Sequence, residues 1–194
     1  DLFGTDYTIG YDTALNTVVE AVYKIRDTAN SHNRLFLVEV MGRDAGFIAL
    51  RSGIAVGAEA ILIPETQTYI NELVAKLESG TKNHKNSMIV IVAEGDDAGG
   101  AYEIAEQVKQ KCPNYDARVT VLGHIQRGGS PSALDRVLAS RLGNAAVNAL
   151  LENKTNIMIG VVNNQISYTP FSKAIKHHQK LNTDLLDLAE ILSY

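Results

Sequence analysis

Cysteine is almost missing: Cys112 is the only one in 194 residues. A lone cysteine closes no internal disulfide, and such usage fits a reducing compartment. Near an expected helix end, Cys112 reads as a small apolar filler rather than a catalytic thiol. Excess charge is missing too. Against 18 Lys and Arg stand 22 Asp and Glu, for a net charge of −4. This argues against nucleic acid or anionic membrane as a main partner and confines cationic chemistry to small clusters. No apolar run reaches the length needed to span a bilayer. Aromatic residues are 6% of the chain, without tryptophan, and they are too scattered to make a stacking platform for bases. Zinc-ligand spacing, a Gly-x-Ser-x-Gly elbow, a Walker-type loop, internal repeats and low-complexity tracts are absent. His177-His178 is a weak pair, read as solvent-exposed. Asp1-Leu-Phe-Gly-Thr-Asp6 has no initiator Met and no signal-peptide features, so the chain reads as a fragment of a larger protein.

What is present is an ordinary globular composition, 45% hydrophobic, and enough length for one large domain or two small ones. Strand-like and helix-like segments alternate. Leu15, Val18, Val19 and Val22 keep helical spacing behind Asp12 as an N-cap. Strands are expected at Leu35 to Val40, Ile61 to Ile63, Met88 to Val92, Arg118 to Leu122 and Ile157 to Val162. Helices are expected from Phe47 to Ile54, around Ile70 to Leu77 with a stop at Gly80, over 101–111, from Ala133 to Leu151, and near 171–178 and 184–192. Repeated βα units predict an α/β fold, mostly parallel sheet with helices on both faces. A change of domain is expected near Gly123, with the final helices returning to the first domain.

The densest stretch is Arg118-Val-Thr-Val-Leu-Gly-His-Ile-Gln-Arg-Gly-Gly-Ser-Pro131. A strand, then basic residues and paired glycines, then a helix is the order of parts of an anion site. Backbone N–H groups and a helix N-terminus attract phosphate, and Arg grips it at two points. Two other strands end in similar fashion, one at Met41-Gly42-Arg43 and one at Glu94. In parallel sheets the ligand crevice lies beyond the carboxyl ends of the strands. Each residue alone has a plain alternative, since loops are polar, a Glu after a strand can cap a helix, and a His in a turn can be structural. Their coincidence at one end of a sheet favours function. Cations suit an anionic group and a carboxylate suits hydroxyls, so together they point to a sugar phosphate. Arg34 and Arg118 start strands that span roughly 17–20 Å. They are either solvated or reach into a neighbouring subunit. Lys82-Asn-His-Lys-Asn86 is a polar loop that would matter if Arg26, Gly57 and Glu59 lay near it, as a second phosphate or nucleotide site.

Gly4-Thr-Asp-Tyr-Thr-Ile-Gly10, Val38-Glu-Val-Met-Gly-Arg43 and Leu122-Gly-His-Ile-Gln-Arg-Gly-Gly-Ser-Pro131 resemble the C-terminal portion of the 6-phosphofructokinase family, from Asp1 nearly to the end of the chain. The resemblance implies a phosphofructokinase-like, two-domain enzyme of the cytoplasm and of glycolysis. It transfers the γ-phosphoryl of ATP, with Mg²⁺, to the 1-hydroxyl of fructose 6-phosphate. It implies a fructose 6-phosphate domain over 1–122, a remnant of the ATP-binding domain over 123–173, and returning helices over 174–194. Met41, Gly42, Arg43, Glu94, His124 and Arg127 match the sugar-phosphate positions: Glu94 for hydroxyls, His124 and Arg127 for the 6-phosphate, and Arg43 also for charge on the transferring phosphoryl group. Arg34 and Arg118 match arginines that reach across from an adjacent subunit of a homo-oligomer, a tetramer in the full-length enzyme. Asp1 matches the last Asp of a Thr-Ile-Asp-Asn-Asp motif, and the resemblance makes it, with Arg43, a catalytic residue. The catalytic base, the ATP loops and the main Mg²⁺ ligand would lie upstream, so the chain alone is expected to be inactive as a kinase. Arg26, Gly57, Glu59 and Lys85 match an effector site. Asn83, Asn86 and Ser87 stand where regulated enzymes carry basic residues, which puts control by ADP or phosphoenolpyruvate in doubt. His124 favours ATP over pyrophosphate, whose enzymes usually carry Tyr there. The pyrophosphate-dependent enzyme and a non-catalytic sugar-phosphate-binding or regulatory domain are the alternatives.

Overall fold

The computed structural model describes residues 2–27, 34–82, 87–175 and 180–192. The chain divides into two compact units, Leu15–Gly128 with Leu181–Tyr194, and Asp1–Ala14 with Gly129–Lys180. These limits differ from the sequence-based segments 1–122, 123–173 and 174–194. Residues 2–14 group with the later stretch because their backbone is bonded to its strands, as described below.

The larger unit is built on a parallel sheet in the order β2-β3-β1-β4, from β1 (Arg34–Val40), β2 (Ala60–Leu62), β3 (Ser87–Ala93) and β4 (Asp116–Val121). The central strands are apolar almost throughout because both of their faces are covered. Side chains alternate across a strand. On β1, Phe36, Val38 and Val40 join one core, with Ile89, Ile91 and Ala93 from β3. Leu35 and Leu37 join the other, with Met88, Val90 and Val92. The first core is closed by Val18 and Val22 of α1 (Tyr11–Asp27) and by Ala49 and Val56 of α2 (Phe47–Val56), with Leu186 of α7 (Thr183–Leu192) packed against it. The second is closed by Leu73 and Leu77 of α3 (Ile70–Lys82) and by Ala101, Ile104 and Val108 of α4 (Ala101–Lys111). Close approach of α2 demands glycine: a methyl group at Gly53 would lie 2.5 Å from the Ile61 side chain. The α/β fold, a mainly parallel sheet flanked by helices, is the one expected from sequence.

Local boundaries differ in several places, among them the end of α2, at Val56 rather than Ile54, and α6, which spans only Phe171–Ala174. Asp12 lies in the first turn of α1 rather than before it. α3 runs through Gly80 to Lys82, since one glycine costs a helix only about 1 kcal/mol against alanine. β4 starts two residues before Arg118, at Asp116.

The smaller unit contains α5 (Ala133–Leu151), an antiparallel hairpin of β5 (Ile157–Val162) and β6 (Gln165–Pro170), and the short α6 (Phe171–Ala174). Asn163 and Asn164 make the two-residue turn, with φ of 48° and 61°. Asparagine tolerates the left-handed region that such tight hairpin turns require. The Asp6 amide donates to the Val161 carbonyl at 2.7 Å, and the Ser167 hydroxyl donates to the Gly4 carbonyl at 2.8 Å. The first residues are thus tied to the hairpin. No helix of the described residues is long and apolar enough to cross a membrane.

Candidate functional site: the carboxyl ends of three adjacent strands

β3, β1 and β4 are neighbours in the sheet, so the loops after them start side by side. The ladder continues past the strand ends: the Glu94 amide donates to the Val40 carbonyl at 3.0 Å, and the Leu122 amide to the Glu39 carbonyl at 3.1 Å. This fixes where Met41, Glu94 and Gly123 leave the sheet.

Glu94 is exposed and leans on the next loop. Its Oε1 accepts the Arg43 amide at 2.7 Å and the Gly42 amide at 3.2 Å. Among the described residues its Oε2 makes no hydrogen bond. Arg43 has φ of 54°, unusual for a residue with a side chain. A methyl group at Gly95 would lie 2.0 Å from the Arg43 carbonyl oxygen, so the two backbones touch. The loop beyond is pinned by Asp96, whose carboxylate accepts the Thr68 hydroxyl at 2.8 Å and the Ala98 amide at 3.0 Å. Burial pushes the Asp96 carboxyl above its usual range, against these hydrogen bonds.

After β4 the chain forms a 3₁₀ turn, Gly123–Arg127. His124 and Arg127 are exposed, whereas Gln126 between them is buried. The Gln126 Oε1 accepts the Met41 amide at 3.2 Å, and its Nε2 donates to the Gly123 carbonyl at 3.1 Å. Sequence reasoning passed over Gln126. An amide inside a basic turn carries no signal of its own, and only its burial reveals it.

The structure therefore brings Met41, Gly42, Arg43, Glu94, His124 and Arg127 to neighbouring loops of one unit. The side chains of Arg43, His124 and Arg127 are exposed and have no hydrogen-bond or ion-pair partner among the described residues. Three basic groups without a carboxylate partner, next to a carboxylate with one oxygen to spare, can hold an anion and a hydroxyl together. At the start of α5, the Ser132 hydroxyl accepts the Asp135 amide at 3.2 Å.

Arg34 and Arg118 lie at the other end of the sheet, gathered around one carboxylate. Arg118 donates through Nε and Nη2 to Asp116 Oδ2 at 3.1 and 2.9 Å, and Arg34 Nε is 3.9 Å from the same oxygen. The Arg26 guanidinium donates to the Val56 carbonyl, next to Gly57, the left-handed residue that ends α2. The carboxylate of Glu59 is turned inward and accepts the Ile89 amide at 2.6 Å. Asp1, Asn83, Lys85, Asn86, His177 and His178 lie outside the described residues. Cys112 is buried at the end of α4, and burial with a bond to Glu78 raises its thiol pKa. No three His, Cys, Asp or Glu side chains gather into a metal cage among the described residues.

The family model for phosphofructokinase matches residues 1–150. The chain is 58% identical, over 193 residues, to the ATP-dependent 6-phosphofructokinase 2 of Bacteroides thetaiotaomicron and 53% identical to the ATP-dependent 6-phosphofructokinase of Cytophaga hutchinsonii. It is covered in full each time and spans 59% of each relative's length. Among solved structures, phosphofructokinase from Saccharomyces cerevisiae superposes with a TM-score of 0.82 at 37% identity, over 89% of this chain and 24% of that one. The matched residues include all three strand ends that build the site, and the chain belongs to the phosphofructokinase family.

Proposed function

We propose that the crevice beyond β3, β1 and β4 binds fructose 6-phosphate, and that the chain serves transfer of the ATP γ-phosphoryl group to the sugar's 1-hydroxyl in the cytoplasm. The observation that carries this reading is the uncompensated trio Arg43, His124 and Arg127 beside the spare Glu94 Oε2. His124 and Arg127 take the 6-phosphate. Glu94 accepts sugar hydroxyls on Oε2 while Oε1 holds the Arg43 turn. Arg43 then faces the reacting end of the sugar, where it offsets charge that develops during transfer, the main source of rate in phosphoryl transfer. ATP is the donor named for the close relatives. The described residues offer no cage for Mg²⁺, so no step is assigned through it. The unit holding the crevice is the sugar-phosphate part, and the α5–hairpin unit belongs to the nucleotide side.

Arg34 and Arg118 serve a second copy's crevice in a homo-oligomer. The exposed contact of Arg118 with Asp116 is of a weak kind and is readily exchanged for a phosphate. Arg26 and Gly57, which the family resemblance groups with Lys85, belong to a second phosphate site. Its control by ADP or phosphoenolpyruvate is weak, because Asn83, Asn86 and Ser87 bring no positive charge and the Glu59 carboxylate is engaged inward.

Calorimetric titration of fructose 6-phosphate tests the reading. The parent chain binds, and Arg127→Ala loses about 1.5–3 kcal/mol, the value of a hydrogen bond to a charged group, or roughly 10- to 100-fold in affinity. A parent chain that shows no binding at millimolar sugar phosphate refutes the assignment.

A further inference from the structure

We propose that Gln126 is a positioning residue that sets the separation between the phosphate-holding turn and the sugar-holding loop. The role rests on the sugar-phosphate reading and adds to it a residue that touches no ligand. Gln126 is 2% exposed, although its neighbours His124, Ile125 and Arg127 all face solvent. It is the inward pin of the turn. One end of its amide holds its own turn, through Nε2–H to the Gly123 carbonyl at 3.1 Å. The other end leaves the turn and crosses to the loop after β1, where Oε1 accepts the Met41 amide at 3.2 Å. The next two amides of that loop, Gly42 and Arg43, are held by Glu94. Two sets of hydrogen bonds therefore hold one loop from both sides, Glu94 on Gly42 and Arg43, and Gln126 on Met41, and the covalent backbone of residues 41–43 joins them across the ends of β3, β1 and β4.

The chemistry of the amide is specific to this task. The Met41 amide donates to, and the Gly123 carbonyl accepts from, one buried side chain of fixed length. Glutamine supplies both acceptor and donor. Methionine, similar in size, supplies no donor and only a weak acceptor, and ionised glutamate supplies the acceptor alone. Fructose 6-phosphate is held at both ends, by its phosphate on the turn and by its hydroxyls on the loop, so its binding depends on the distance between those parts. Each hydrogen bond to a charged group that the wrong separation breaks costs about 1.5–3 kcal/mol. Inorganic phosphate engages the turn alone and is blind to that distance.

The test titrates fructose 6-phosphate and, separately, inorganic phosphate into the parent chain, Gln126→Met and Gln126→Glu, with thermal unfolding recorded beside each. Gln126→Met is expected to weaken fructose 6-phosphate by roughly tenfold or more, as for one hydrogen bond to a charged group, and inorganic phosphate by clearly less. Gln126→Glu is expected to show the same imbalance at neutral pH. Relative to the parent at each pH, it recovers in acid as its carboxyl gains a proton and can donate to Gly123. Should Gln126→Met not fold, Gln126→Glu decides alone. Equal losses for both ligands, no loss in a folded variant, or no recovery of Gln126→Glu in acid each overturn the role. A parent that binds no fructose 6-phosphate overturns the sugar-phosphate reading and this role with it. A parent that binds it beside variants that bind equally well overturns the role of Gln126 alone.

Discussion

Gly95 and Arg43 show how little freedom the site's backbone has. The Arg43 carbonyl occupies the space where a side chain at position 95 would start, 2.0 Å from a methyl group placed there. Arg43 itself stands in the left-handed region, held there by the Glu94 carboxylate on its amide and that of Gly42. Gly95→Ala must push this turn away from β3. Overpacking of this kind costs about 1–3 kcal/mol, and here it also displaces Arg43. Urea unfolding is expected to show the loss of stability, and titration a weaker grip on fructose 6-phosphate. If both curves overlay those of the parent, the turn is looser than its contacts indicate. Glu94 was legible as a polar residue after a strand. Its division of labour, one oxygen for the protein and one for a ligand, was not, because that depends on where the neighbouring loop lies.

At the scale of elements, α5 owes its start to Asp135, a buried carboxylate. It accepts the Gly10 amide at 2.8 Å and the Thr13 amide at 2.9 Å, and it also takes the Thr13 hydroxyl. Burial alone would raise its pKa, but the bonds from Thr13, Gly10 and Ser132 outweigh burial and hold the carboxyl below its usual range. A carboxyl that binds its proton less tightly when folded stabilises the fold fully above roughly pH 4, and that contribution fades as the pH drops towards the folded value. Asp135→Asn is expected to cost about 1.5–3 kcal/mol at neutral pH. Its deficit against the parent should shrink below pH 4 in chemical unfolding. A deficit that stays constant from neutral to strongly acid solution would show that the carboxylate charge is unimportant. Most helices and buried strands were readable from apolar spacing. β6 was not: Gln165-Ile-Ser-Tyr-Thr-Pro170 is mostly polar, and it forms a strand because the Asn163-Asn164 turn lays it against β5.

For the whole molecule, the sequence disclosed the α/β class because βα alternation is a pattern along the chain. It did not disclose which distant segments join, since no local preference records that residues 2–14 bond to a hairpin beyond residue 156. Arg34 and Arg118 raise the matter of a second copy. If each completes a neighbour's crevice, affinity for fructose 6-phosphate rises with protein concentration, and Arg118→Ala flattens that dependence. Titrations at several protein concentrations, paired with sedimentation, provide the check. An assembled Arg118→Ala sample that binds as tightly as the parent sinks the proposal.

Neither compact unit is a continuous stretch of chain. The core that contains Ala49 and Val56 has Leu181 and Leu186 packed against it, and the whole of the other unit's second segment is made in between. On a ribosome, the parallel sheet with α1 to α4 can therefore form long before α7 arrives to complete that core. Over that interval it presents greasy surface to whatever is nearby, which is a reason for a chaperone to wait there. Moving the α7 sequence to follow Gly128 directly would shorten the wait, and the soluble yield of such a rearranged gene would measure its cost.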